Sequence, residues 1–98
     1  MIYEHKATVV TASGSTSTIT LKIIHGLCRN IYVKANTATT VFRVNLTDED
    51  GDSRLDYGFS TGMLNDNQIA YPIVNSYTLN ITNASPNDTF KVKIGIEE

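Results

Sequence analysis

Hydrophobic and polar residues alternate along most of this chain with a period of two. The alternation is cleanest near the end. There Tyr77, Leu79 and Ile81 alternate with Ser76, Thr78, Asn80 and Thr82, and Phe90, Val92, Ile94 and Ile96 alternate with Lys91, Lys93 and Gly95. Successive side chains of a strand point to opposite faces, so the pattern predicts two strands, each with one apolar and one wet face. Between them Asn83-Ala84-Ser85-Pro86-Asn87-Asp88 is rich in turn formers, and residues 75–98 read as a β-hairpin. A lone hairpin is marginal in water, so a second sheet must cover it.

Further strands are predicted over residues 2–12, 18–25, 27–35 and 40–48. Ile24 breaks the alternation just before Gly26, which predicts a bulge or turn there. In the third strand Leu27, Ile31 and Val33 are in phase, and Arg29 is the awkward member of that set. Phe42, Val44 and Leu46 face inward from the fourth. The turn Glu49-Asp50-Gly51-Asp52 carries the Asp-Gly pair of a tight hairpin, after which Leu55, Tyr57 and Phe59 are expected inward. Residues 60–68 read as a loop with one helical turn around Met63 and Leu64. Residues 69–74 read as a short strand that Pro72 confines to an edge or a bulge. Ser13-Gly14-Ser15-Thr16-Ser17 reads as a flexible hairpin loop. About eight short strands with no helix-period segment predict an all-β chain. It forms a single antiparallel β-sandwich domain over residues 1–98, jelly-roll-like or immunoglobulin-like.

Composition narrows the function classes. Thr, Ser and Asn make up 29 of 98 residues, while the charged fraction is only 18% and the formal net charge −2. Eight scattered Lys and Arg make no basic stripe in the sequence, so no nucleic-acid partner is expected. Few charges give little repulsion between copies, which suits a chain that sits against other protein. A single Cys28 leaves no disulfide framework. The first residues lack a basic start followed by an apolar run, and no apolar stretch nears the roughly 20 residues that span a bilayer; neither a signal peptide nor a membrane segment is expected.

Candidate chemistry is sparse. Asp48, Glu49, Asp50, Asp52 and Asp56 hold five of the ten carboxylates. Calcium favours several oxygens converging from a turn, which makes Asp48, Asp50 and Asp52 the candidate metal ligands. Glycine comes one position early for the helix-loop-helix pattern and no closing glutamate follows, so a solvated hairpin tip that protects its edge is the preferred reading and no metal is assigned. His25 and Cys28 flank Gly26, but nothing orients the histidine as a base, and a buried structural thiol is the preferred reading. With His5 added they still match no zinc spacing. Asn-x-Ser/Thr triplets at Asn45, Asn80, Asn83 and Asn87 follow from composition. No phosphate-loop, dinucleotide or zincin motif occurs, and no catalytic residues or cofactors are expected. Tyr3, Tyr32 and Tyr71 are candidates for outward rings, which keeps a carbohydrate-binding module as an alternative.

The body Ser76-Tyr77-Thr78-Leu79-Asn80-Ile81-Thr82-Asn83-Ala84, its partner Phe90-Lys91-Val92-Lys93-Ile94-Gly95-Ile96 and the Ser/Thr/Gly loop at 13–17 give the chain a style that resembles small virion proteins of tailed bacteriophages. Capsid decoration or cement proteins and head or tail accessory β-sandwiches are the nearest in kind. The resemblance implies a non-enzymatic protein, made in the host cytoplasm and carried in the virion. It implies binding to the major capsid protein or another virion protein, as a homo-oligomer with a trimer favoured. The first three strands carry apolar residues on both faces, which marks Val9, Val10, Ile24 and Tyr32 as interface candidates. Removing residues 1–12 is then expected to weaken particle binding more than folding. A small adhesion or carbohydrate-binding module, calcium-assisted at Asp48, Asp50 and Asp52, is the alternative.

Overall fold

Two of the breaks that the pattern suggests lie within longer strands, one of them at a bulge. In a computed structural model of the protein, β1 spans Ile2–Val10, β2 Ser17–Ala35, β3 Val41–Thr47, β4 Ser53–Thr61, β5 Met63–Asp66, β6 Tyr71–Thr82 and β7 Thr89–Glu97. The structure describes the backbone at 2–10, 17–84 and 88–97, and side chains at 26–73, 77–84 and 88–97. Most of the loop expected at 13–17 and the Ser85-Pro86-Asn87 part of the later turn therefore lie outside the described residues. The helical turn expected around Met63 and Leu64 is the short strand β5. Among the described residues there is no helix.

All pairings are antiparallel, in the order β1-β7-β2-β6-β3-β4, with β5 on β2. The 19-residue β2 explains how one ladder makes two packed layers. Its first part pairs with β6, from Ser17 opposite Ile81 to Cys28 opposite Tyr71. Its second part pairs with β7 on one side, from Leu27 opposite Glu97 to Ala35 opposite Phe90, and with β5 on the other. One layer is thus β1, β7, the end of β2, and β5; the other is the start of β2, β6, β3 and β4. The protein is an all-β sandwich.

The expected hairpin over 75–98 is corrected by this topology. β6 pairs with β2 and β3, whereas β7 pairs with β1 and β2, so the two strands sit in opposite layers. Their apolar faces meet across the core. Period-two alternation is the same whether a strand's sequence neighbour lies beside it or opposite it, which is why the pattern alone suggested a hairpin. Asn83, with φ 62°, starts the crossing in the left-handed region that Asn tolerates. The hairpin β3-β4 does form. Its turn is a three-residue loop rather than the two-residue turn expected: the Gly51 amide donates to the Asp48 carbonyl, and the Asp48 amide to that of Asp52, both at 3.0 Å.

Bulges settle two awkward residues. The β2-β7 register shifts between Cys28 and Asn30, so Arg29 is an extra residue on β2. It turns outward, and Cys28 rather than Leu27 enters the core. The β3-β4 register shifts between Arg43 and Asn45, with the extra residue on β4 at Gly58, whose φ is 66°. That shift reverses the phase, so Phe59 lies outward and 64% exposed instead of inward. The register shift between Lys22 and His25 places the expected bulge at Ile24. Pro72 stands opposite Leu27, beyond the end of the β3 ladder, where its missing N–H breaks no second pairing.

Candidate functional site

The described surface offers three groupings of chemistry. The first is the acidic turn. The Asp48 Oδ1 accepts the amides of Asp50 and Asp52, both at 3.0 Å, and its Oδ2 accepts Arg54 Nη1 at 3.3 Å. Partial desolvation pushes the Asp48 carboxyl up, but those two amides and the guanidinium outweigh it and hold it below the usual carboxylate range. Asp48, Asp50 and Asp52 each present a carboxylate oxygen, all within 4.8 Å of one another. The structure therefore brings the three candidate calcium ligands together, while both oxygens of Asp48 already staple the turn.

The second is the outer face of the β3-β4 hairpin. Arg43 stands opposite Phe59 and Val41 opposite Thr61 in the ladder. Val41, Phe59 and Met63 are the exposed large hydrophobic residues among those described, at 47%, 64% and 48%; the first two share this face, while Met63 stands opposite Lys34 in the other layer. The Arg43 guanidinium lies 5.7 Å from the centre of the Phe59 ring and binds both oxygens of Asp56. That charged hydrogen bond, then the Gly58 amide, holds the Asp56 carboxyl low. A cation held over a ring and anchored by a carboxylate gives an exposed aromatic a fixed orientation. β4 is also an edge strand of the sheet. The sequence pattern missed this patch because it needs the Gly58 bulge.

The third is a pair of polar groups, Cys28 and Tyr57, set in or against the core. Cys28 is fully buried, and burial pushes its thiol up to about 11. It donates a long hydrogen bond to the Asn30 carbonyl at 3.8 Å. The nearby Tyr57 hydroxyl is buried without a hydrogen bond of good geometry, and burial, then the Asp66 carboxylate, raises its pKa. A thiol with its pKa raised this far is a poor nucleophile at neutral pH. The His25 side chain lies outside the described residues.

The interface candidates are placed by register. Val9 stands opposite the buried Phe90, and Val10 opposite Thr89. Their side chains and that of Ile24 lie outside the described residues. Tyr32 is half-buried, with the Lys93 ammonium 5.6 Å from its ring centre. Of the other tyrosines, Tyr77 is core and Tyr71 packs against it edge-on at 6.4 Å.

No protein-family model matches the chain, and no curated protein matches it. Among solved structures it is similar to a periplasmic inhibitor of g-type lysozyme from Aeromonas hydrophila. The identity is 12%, covering 98% of this chain and 84% of that one, with a TM-score of 0.46. It is also similar to a family two carbohydrate esterase from Cellvibrio japonicus, at 7% identity over 97% of this chain and 34% of that one, with a TM-score of 0.37. At these values neither likeness bears on what this chain binds or does.

Proposed function

We propose that the chain is a non-enzymatic structural protein of a bacteriophage particle. It binds the outside of the capsid, or an accessory position on head or tail, through protein-protein contacts. The observation that carries this reading is the exposed Val41 and Phe59 on the outer face of the β3-β4 hairpin, with the Arg43 guanidinium over the Phe59 ring. Aromatic residues and arginine dominate the energetics of protein interfaces, and an exposed ring held in one orientation loses little entropy on binding. Many copies on a lattice make individually weak contacts sufficient.

A point variant tests this better than removal of residues 1–12. β1 pairs with β7 along all nine of its residues, so truncation strips a whole edge from the sheet. The purified chain is mixed with heads of the phage whose genome encodes it, heads that lack the chain, and sedimented. Wild type is expected to travel with the heads, and Phe59→Ser to stay behind while melting at the same temperature. A wild-type chain that ignores the heads overturns the reading. So does calcium-dependent retention on a glycan column with no binding to heads, which is the outcome of the alternative built on Asp48, Asp50 and Asp52.

A further inference from the structure

The outer face of the layer made by β1, β7, β2 and β5 collects cations that are scattered in the sequence. Its ladder registers set Thr8, Lys91, Lys34 and Met63 in one cross-strand row, and Lys6, Lys93, Tyr32 and Asn65 in the next. Four of the chain's eight cationic residues thus occupy two adjacent rows. Lys34 and Lys91 are exposed and stand directly opposite each other, an arrangement of like charges that destabilises a sheet on its own. Among the described residues no carboxylate forms an ion pair with Lys34, Lys91 or Lys93. Glu97 is no remedy: it lies six residues along β7 from Lys91, about 20 Å at the rise of a strand.

Beside this pair the surface dips into a hollow of about 280 Å³ lined by Lys34, Ala35, Asn36, Thr89, Phe90 and Lys91. Lys34, Asn36 and Lys91 are its exposed members, while Ala35 and Phe90 are buried. An occupant needs closely spaced anions on a narrow projection. Among the described residues the turn at 48–52 is such a projection. Asp50 and Asp52 are exposed there, and the carboxylate oxygens of Asp48, Asp50 and Asp52 lie within 4.8 Å. With both Asp48 oxygens engaged within the turn, the exposed Asp50 and Asp52 are the two anions that complement two lysines on neighbouring strands.

The turn cannot reach its own molecule's hollow. The Ala35 amide bonds to the Gly62 carbonyl at 2.9 Å, and the Gly62 amide to that of Thr40 at 2.7 Å. The hollow is therefore at the end where β3 begins, and the acidic turn follows the other end of that seven-residue strand, roughly 20 Å away and in the opposite layer. A contact between unlike patches at opposite ends is head-to-tail, and it closes into a ring when its rotation allows.

We propose that the Lys34/Lys91 hollow is the docking site for the 48–52 turn of a second copy of this chain, and that this head-to-tail contact builds a homo-oligomer. The inference rests on the assembly reading above for the expectation that copies act together. Its own support is the complementarity of charge.

Solution mass by light scattering tests it on the whole chain. At low salt the wild type is expected at a multiple of its 10.8 kDa, and near 10.8 kDa at about 1 M salt, where the screening length is about 3 Å. The charge-reversed pair Lys34→Glu/Lys91→Glu and the reversed turn Asp50→Lys/Asp52→Lys are each expected to be folded monomers at low salt. Mixing the two restores complementary contacts and is expected to restore the higher mass. A mixture that stays monomeric overturns the proposal, as does an oligomer that survives either reversal or a monomeric wild type whose lysine face captures heparin instead. Sedimentation with phage heads is read separately: oligomers that ignore heads sink the particle reading alone, and monomers that bind heads sink this contact alone.

Discussion

Phe42 and Phe90 meet edge to face, their ring centres 5.1 Å apart and their planes inclined at 65°, and each is fully buried. Phe42 comes from β3 and Phe90 from β7, so the contact joins the two layers across the core. Phe90→Ala is expected to cost about 3–5 kcal/mol in urea denaturation, a large share of the roughly 5–15 kcal/mol that holds a small domain folded. A double-mutant cycle with Phe42→Leu and Phe90→Leu is expected to show about 0.5–1.5 kcal/mol of coupling. Strictly additive effects would mean that the two rings do not meet.

Gly62 is the corner where β4 ends and β5 begins. Its φ is +77°, and a Cβ there would stand 2.6 Å from the Ala38 carbonyl oxygen. Gly58 has a similar φ of +66° but nothing within 4 Å of the same atom. Gly58→Ala is therefore expected to cost only the left-handed backbone penalty of about 1–2 kcal/mol. Gly62→Ala adds a clash with main chain that cannot swing away, a further 1–3 kcal/mol by the usual scale of about that size for overpacked sites. Equal losses in the two variants would contradict the corner geometry.

These two glycines also show what the pattern of residues reveals and what it hides. The alternation in Phe42, Val44 and Leu46, and in Phe90, Val92, Ile94 and Ile96, places those side chains inward, and all seven are buried. A bulge adds one residue and reverses the phase beyond it, which no alternation announces; hence Phe59 outward and Arg29 out of the core. Strand partners are hidden for a related reason. Neighbours along the chain share the same period whether they pair or face one another, so β6 and β7 read as a hairpin. The lysine rows at Lys34, Lys91 and Lys93 emerge only from ladder registers, since the strands that carry them are more than fifty residues apart in sequence. The acidic turn was legible because all of its residues are consecutive.

Asp48 in that turn and Asp56 on β4 set the expected response to acid. Asp48 and Asp56 both have carboxyls held below the ordinary range in the folded chain, so their contribution to stability is present above the unfolded value of about 3.9 and is lost as pH falls through their lower folded values. Melting temperature is expected to hold steady near neutrality and to fall as the solution is acidified below about pH 4. Asp48→Asn removes the charge facing Arg54, so its melting curve is expected to depend less on acid. Because both Asp48 oxygens are already engaged, calcium is expected to leave the wild-type melting temperature unchanged. A calcium-dependent rise abolished by Asp50→Ala would instead make the turn a metal site.

Cys28 gives a probe of the core from the alkaline side. Reaction with a disulfide reagent needs the thiolate, and burial has pushed this thiol to about 11 from an ordinary 9.0. Two pH units leave about a hundredth of the ordinary thiolate population at pH 8, so the native chain is expected to react at least about a hundredfold more slowly than the urea-unfolded chain. The same shift sets a sign for stability. A raised folded value means that the unfolded thiol ionises first, so stability is lost as pH climbs from about 9 to about 11. Tyr57, raised by burial and by Asp66, extends the loss above its ordinary value of about 10. Cys28→Ala should therefore flatten the first part of the alkaline decline and leave the second. Rapid labelling of the native chain, or an alkaline profile unchanged in Cys28→Ala, would place the thiol at the surface and not in the core.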